Sequence, residues 1–406
     1  MTAVASGDRA TVAICGGGLI GTSLALALRA LGHPVRVCDA DASVRAALRA
    51  VLDAGQAYAG DVVAHGARRA VTVHDDWEEA AGGAHIVIAA VPPAAIPAVL
   101  VTAARHAAPD ALFTDVAGVK QDVVQRVSDA LVADGADHDV LARLVGGHPM
   151  AGSERSGPAA ADAALFSGAT WVLTPTATSS DASLARAGEL VRSLGARVLV
   201  LDPAEHDTIV GLISHLPQLV SSVLADVAAD ALGADRDAVM AVAGPGFRDT
   251  TRIAASDADL WLDILDGNRD AVSGALDAFR ARLDLVATAI TERDGETLGE
   301  VLRRASAARR RLVPKATEEP TGDLMIPLRD RPGEIARIAG ALGSAGINIE
   351  DLAMRHASAA DRGSLLLRVR ATDIDRATSV LGDAGIDGVL VESDPATPVA
   401  SAGEQR

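Results

Sequence analysis

Short apolar runs rich in β-branched residues recur through the first 200 positions: Thr11–Cys15, Val35–Cys38, Ile86–Ala90, Leu112–Asp115, Leu144–Gly147, Thr170–Leu173 and Arg197–Leu201. Ala/Leu-rich stretches of helical length separate them. A run that is apolar throughout, rather than alternating, is buried on both faces. Such runs joined by helices predict a doubly wound, largely parallel sheet. The polar stretch Thr174–Ser183 reads as a loop.

From about Pro203 the strand pattern stops. Helical patterns continue to about Leu312, including His206–Asp230 and Asn268–Arg293. An all-helical block after a dinucleotide fold commonly supplies the other wall of the active site and a dimer interface, so by analogy a homodimer is expected. The basic run Arg303–Arg311 reads as a solvated helix end favoured by the helix dipole. Val313–Thr321, with two prolines and two glutamates, reads as a linker. A small module follows: strand Leu324–Leu328, helix Pro332–Ala345, strands Ile347–Met354 and Ser364–Arg370, helix Asp373–Ala384 and strand Val389–Glu392. That βαββαβ order is ferredoxin-like. The expected divisions are a Rossmann-type α/β domain over 1–204, an all-α domain over 205–313, a linker over 314–321, the βαββαβ domain over 322–395 and a disordered tail over 396–406.

Composition narrows the function. Hydrophobic residues make up 49% of the chain and charged ones 22%, so it can bury cores. Aromatics are only 2%, which leaves the packing to Ala, Val, Leu and Ile and disfavours base-stacking platforms. The formal charge of -17 repels nucleic acid and anionic membranes. No stretch approaches the roughly 20 apolar residues of a membrane span. Met1–Thr11 has no export pattern, so a cytoplasmic location is expected. Cys15 and Cys38 fall late in the first two strands and read as reduced core residues. No metal site is expected.

Gly16, Gly18 and Gly21 stand in the G-x-G-x-x-G positions between a strand and a helix. Such glycines permit the tight turn, let a pyrophosphate approach the backbone, and let helix pack close to strand. Asp39 ends the second strand about 20 residues on, where a carboxylate binds the ribose hydroxyls and repels a 2′-phosphate. NAD is therefore the expected cofactor. Val91-Pro92-Pro93 follows the Ile86–Ala90 strand on the same carboxyl edge.

His148 lies in a Gly-rich loop after a strand, at the sheet edge where ligands bind in such folds, and can serve as a proton acceptor. Arg155, Arg248 and Arg252 can supply the positive charge an acidic protein needs to hold a carboxylate. The residues alone thus point to a dehydrogenase acting on an anion.

The motifs GGGLIGTS at 16–23, TDVAGVK at 114–120, GGHPMAGSERSG at 146–157, SHLPQ at 214–218 and GFRDTTRIAASDADLW at 246–261 resemble those of the prephenate/arogenate dehydrogenase family, over about residues 9–310. The resemblance implies oxidative decarboxylation of prephenate to 4-hydroxyphenylpyruvate, with His148 accepting the hydroxyl proton and NAD the hydride. It places Leu19, Ile20, Asp115 and Gly118, with Val91 and Pro92, at the cofactor. Arg252, Trp261, His215 and Ser153 fall on substrate positions, and Glu154 and Asp249 on an ion-pair gate. Two positions depart from the family pattern: Gly118 stands where a serine is usual, and Gln218 where a second histidine is common. The segment Arg329-Asp330-Arg331-Pro332-Gly333, with Gly346-Ile347-Asn348-Ile349, resembles an ACT domain, which implies an aromatic amino-acid effector, tyrosine first. Arogenate is the alternative substrate. A catalytically weak regulator responsive to dinucleotide and amino acid is the alternative of another class.

Overall fold

The structure, a computed structural model, describes residues 9–58, 71–152, 155–232, 243–312, 320–329, 331, 333–356 and 362–392. Ser153 and Glu154, most of the expected linker and the expected tail lie outside the described residues. The chain forms two units that divide between Arg282 and Leu283, within the helix Arg269–Glu292.

In the first unit, five parallel strands form one sheet: β1 (Val12–Cys15), β2 (Val35–Cys38), β3 (Val71–His74), β4 (Ile86–Ala89) and β5 (Leu112–Asp115), in the order β3-β2-β1-β4-β5. Alternate β1 residues enter opposite cores. Val12 and Ile14 pack with Leu24, Leu28 and Leu48, whereas Ala13 and Cys15 pack with Leu100, Phe113 and Val127. Both faces are thus covered, which is why the central strands β1 and β4 read as unbroken apolar runs. Cys15 and Cys38 are buried free thiols paired across β1 and β2, and burial pushes the Cys38 thiol up to about 11.

Two details differ from the sequence reading. Strand β3, Val71-Thr72-Val73-His74, was absent from the expected set; it is a half-buried edge strand, so its apolar signal is diluted. The expected parallel arrangement also breaks beyond β5. Three strands, β6 (Val145–Pro149), β7 (Thr170–Pro175) and β8 (Arg197–Val200), form a second sheet in which β6 runs antiparallel to β7 and β7 parallel to β8. A parallel bridge between Phe113 and Leu144 brings the start of β6 beside β5. No long helix separates β6 from β7 among the described residues, and without a crossover helix neighbouring strands pair antiparallel.

The expected helix His206–Asp230 is two helices, Pro203–Val210 and Leu216–Leu232, joined through a π turn at Gly211–His215. Contrary to the sequence expectation, Pro203–Asp230 is by length and composition alone apolar enough to cross a membrane. Pro245–Thr251, a 3-10 turn at Arg252–Ala255, Ala258–Gly267 and the long helix Arg269–Glu292 follow.

The second unit contains the helix Gly295–Leu312 and then a βαββαβ module. Its strands are β9 (Thr321–Arg329), β10 (Asp351–His356), β11 (Arg362–Arg370) and β12 (Leu390–Glu392), antiparallel in the order β10-β11-β9-β12. Leu324, Ile326, Leu365 and Leu367 form its core with Ile338 and Leu342 of the helix Glu334–Ser344 and Leu381 of the helix Ile374–Asp383. Strand β10 begins at Asp351 rather than at Ile347: Ile347 is apolar because it plugs this core, not because it pairs.

Candidate active site

The loop after β1 shows why each glycine of the fingerprint stands where it does. Gly16 has φ 113°, and a Cβ there would meet the Ala90 carbonyl oxygen at 2.2 Å. A Cβ on Gly21 would lie 1.9 Å from the Gly16 carbonyl oxygen, so helix and strand could not approach. A Cβ on Gly18 would meet nothing within 4 Å. Gly18 begins the helix Leu19–Ala30 without a side-chain cap, leaving the first-turn amides, those of Leu19 and Ile20 among them, directed at this open side. The Asp39 carboxylate reaches the same loop, accepting a hydrogen bond from the Gly17 amide at 2.7 Å. Ala90 and Val91 form the opposite wall through their backbone. Open amides, a glycine with space above it and a carboxylate at the strand end fit a dinucleotide pyrophosphate and its ribose.

Behind this edge lies a buried polar network. Lys120 is fully buried; its ammonium pairs with Asp115 and donates to the Gly147 carbonyl at 2.8 Å. Burial pulls this ammonium down while Asp115 pulls it back up. Asp115 also accepts the Ala117 amide at 2.8 Å, so its carboxylate serves the loop. The His148 ring, on β6, meets His206 of the helix Pro203–Val210, with Nδ1 and Nε2 2.8 Å apart. His206 Nδ1 lies 2.7 Å from Asp207 Oδ1, and Asp207 in turn accepts the backbone amides of Lys120 at 2.8 Å and Gln121 at 2.9 Å. Burial, then the neighbouring Lys120 ammonium, holds the His148 ring well below the usual histidine range. It is therefore neutral near pH 7 and able to accept a proton.

The expected pocket residues join this network in part. His215, at the end of the π turn, is buried, with Nδ1 3.1 Å from the Asn268 amide nitrogen; Asn268 also donates to the Asp207 carbonyl at 2.8 Å. The Trp261 ring stands edge-on to His215 at 5.8 Å. Burial, partly offset by Asp207, drives the His215 ring down to about 4. Gln218 donates to the Ile253 carbonyl at 2.9 Å, which anchors the exposed turn carrying Arg252 to the helix that follows His215. Asp249 lies exposed on the preceding helix, and its expected gate partner Glu154 and the expected substrate residue Ser153 lie outside the described residues. Gly118 borders the His148 ring: a Cβ there would lie 3.8 Å from both Cε1 and Nε2. Sequence reasoning missed His206, Asp207 and Asn268.

Residues 24–200 match the nucleotide-binding domain of prephenate dehydrogenase, and residues 202–304 match its dimerization domain. The chain belongs to the prephenate dehydrogenase family. A prephenate dehydrogenase of Bacillus subtilis (strain 168) is 31% identical over 349 residues, covering 84% of this chain and 87% of that protein. The solved prephenate dehydrogenase of A. aeolicus in complex with hydroxyphenyl propionate and NAD+ is 26% identical with TM-score 0.63, over 76% of this chain and all of that one. The arogenate dehydrogenase of Synechocystis is 28% identical with TM-score 0.59, over 75% of this chain and all of that one. The two matched segments are joined by the contact of His148 with His206.

Proposed function

We propose that this chain oxidises and decarboxylates prephenate to 4-hydroxyphenylpyruvate with NAD as the hydride acceptor. The observation that carries the reading is the neutral, half-buried His148 ring at the carboxyl edge of a sheet whose glycine loop fits a dinucleotide. NAD, when bound, supplies the two-electron oxidant. His148 accepts the substrate hydroxyl proton, and the ring carboxylate departs as CO2. Aromatisation of the ring makes the step effectively irreversible. Arg252 holds a substrate carboxylate, Trp261 and His215 line the pocket, and Glu154 and Asp249 guard its entrance. Arogenate, the substrate in the name of the Synechocystis relative, differs by an amino group on the side chain. Steady-state NADH or NADPH formation with prephenate and with arogenate, each against NAD and NADP, tests the reading. Prephenate with NAD is expected to give the highest kcat/KM, and no turnover with either substrate refutes it.

The protein is proposed to act as a homodimer. Ile213, Val223, Val227 and Leu262 of the helical block are exposed by 58–65%, apolar side chains of the kind that a subunit interface covers. Sedimentation at micromolar concentration is expected to give twice the 41.2 kDa chain mass. The βαββαβ module is proposed as an ACT domain that binds an aromatic amino acid; its strand order and antiparallel pairing support this. Tyrosine is expected to inhibit the full chain but not a chain ending at Ala316.

A further inference from the structure

The geometry points to His206, backed by Asp207, as a positioning residue that holds His148 in the Nδ1–H tautomer and takes over the positive charge when His148 Nε2 accepts the substrate proton. This rests on the reading of His148 as the proton acceptor.

Asp207 sets the direction of the hydrogen bonds, because a carboxylate can only accept. Its side chain already receives the backbone amides of Lys120 and Gln121, and it is buried together with His206. His206 Nδ1, 2.7 Å from Asp207 Oδ1, must therefore carry the hydrogen. In the neutral ring this leaves Nε2 of His206 with a lone pair. That lone pair faces His148 Nδ1 at 2.8 Å, so His148 Nδ1 donates and His148 Nε2 is left unprotonated. The free nitrogen is turned toward Gly118, where the nearest added atom would lie 3.8 Å away. The tautomer needed of a base thus follows from a chain of contacts that starts at a carboxylate acting through a second ring.

The same chain accounts for the proton after transfer. The substrate O–H bond breaks and an N–H bond forms at His148 Nε2. The His148 Nδ1–H bond then breaks and a His206 Nε2–H bond forms, leaving His148 neutral and His206 cationic. The charged and titratable groups around His148 favour this order. Lys120, paired with Asp115, repels a cation on His148, and His215 offers it no anionic partner. His206 has the Asp207 carboxylate in direct contact. Burial penalises an unpaired charge far more than one hydrogen-bonded to a carboxylate.

Two measurements test the proposal. In the NAD-loaded enzyme with 15N-labelled histidine rings, the His148 resonances are identified by their loss in His148→Asn. They are expected to show a protonated Nδ1 and a bare Nε2, and a protonated Nε2 overturns the proposal without any variant of His206. In the second, His206→Leu is expected to lower kcat by about 10²–10⁴-fold, the range of general-base catalysis, with KM for prephenate within about threefold. His206→Gln, whose amide oxygen can accept from Nδ1, is expected to recover about tenfold or more of that loss. Wild-type kcat in the Leu variant, or a Gln variant no better than Leu, overturns the proposal. If His148→Asn itself keeps most of its activity, the reading of His148 as the base fails first. If His148→Asn is inactive and His206→Leu is not, only the present inference falls.

Discussion

The serine that the family pattern places at position 118 can be restored, and the structure says what should follow. Gly118 does not have a positive φ, so the backbone there accepts any L-residue without strain. Its added Cβ would make ordinary contact, 3.8 Å, with Cε1 and Nε2 of His148. A hydroxyl one bond further reaches the 2.7–3.0 Å or so of a hydrogen bond to Nε2. In the wild-type chain solvent can bridge the same gap, and immobilising it costs about 0–2 kcal/mol. Replacing that bridge with a fixed hydroxyl should therefore raise kcat or leave it within about tenfold, since 1.4 kcal/mol corresponds to a factor of ten. Folding should gain slightly: removing the unfolded-state freedom of a glycine contributes about 0.4–1 kcal/mol, or roughly 1–4 °C in Tm. The assay is Gly118→Ser against wild type, with NADH formation from prephenate and a thermal melt run side by side. A lower Tm with lower kcat would show that position 118 needs glycine for its backbone, contrary to the observed angle. A kcat loss beyond tenfold at unchanged Tm would show that the reacting groups need the space beside His148. Activity in the serine variant alone, with none in wild type, would mark the chain as a disabled relative and refute the proposed function.

Asp39→Ala removes the carboxylate that accepts the Gly17 amide and is proposed to bind the ribose, so NAD affinity should fall and the preference over NADP should narrow; a wild type that already prefers NADP refutes this. Arg252→Gln should raise KM for prephenate by about one to three orders of magnitude, the ~2–5 kcal/mol of a lost charge-assisted contact, with NAD affinity nearly unchanged. Because burial keeps the His148 ring neutral, kcat/KM should stay level as pH falls through 6.5 and bend only below it; an acid limb at 6.5 or higher contradicts the network. Stability should follow the same sign at His215, whose folded value of about 4 lies below the ordinary 6.5. Above 6.5 neither state is protonated and the full stability is present. Between 6.5 and about 4 the unfolded chain binds a proton that the folded chain refuses. Stability should then drop by up to about 1.4 kcal/mol per pH unit, and His215→Gln should flatten the slope of denaturation midpoint against pH.

The parts of this protein that local sterics dictate were legible in the sequence. Gly16 and Gly21 could be assigned because close backbone packing in one turn leaves no room for a Cβ, Gly18 because a dinucleotide needs the open space above it, and β1, β2, β4 and β5 because burial on both faces keeps them mostly apolar. Strand β3 was not, because this edge strand has only four positions and none of them is buried. His206-Asp207 reads in sequence as an ordinary first turn of a helix. Its meaning depends on His148, 58 positions earlier, and on two backbone amides at Lys120 and Gln121, and no periodicity reports such contacts. Lys120 has no role legible in the TDVAGVK motif, since charge in a sequence says nothing of burial and this side chain is fully enclosed.

Asp207 has a consequence for how such enzymes can be recombined. One carboxylate holds the amides that open the helix Gln121–Ala133 and, through its neighbouring residue, the ring of His148. A hybrid that joins the dinucleotide half of one relative to the helical half of another, cut near residue 201, severs no strand and divides the strand-lined cores only where Ile264 packs against one of them. It nevertheless places the two ends of this contact under different ancestries. Such hybrids should fold and bind dinucleotide regardless of parentage, and should turn over only where the incoming helix presents a His-Asp pair in register with the host loop.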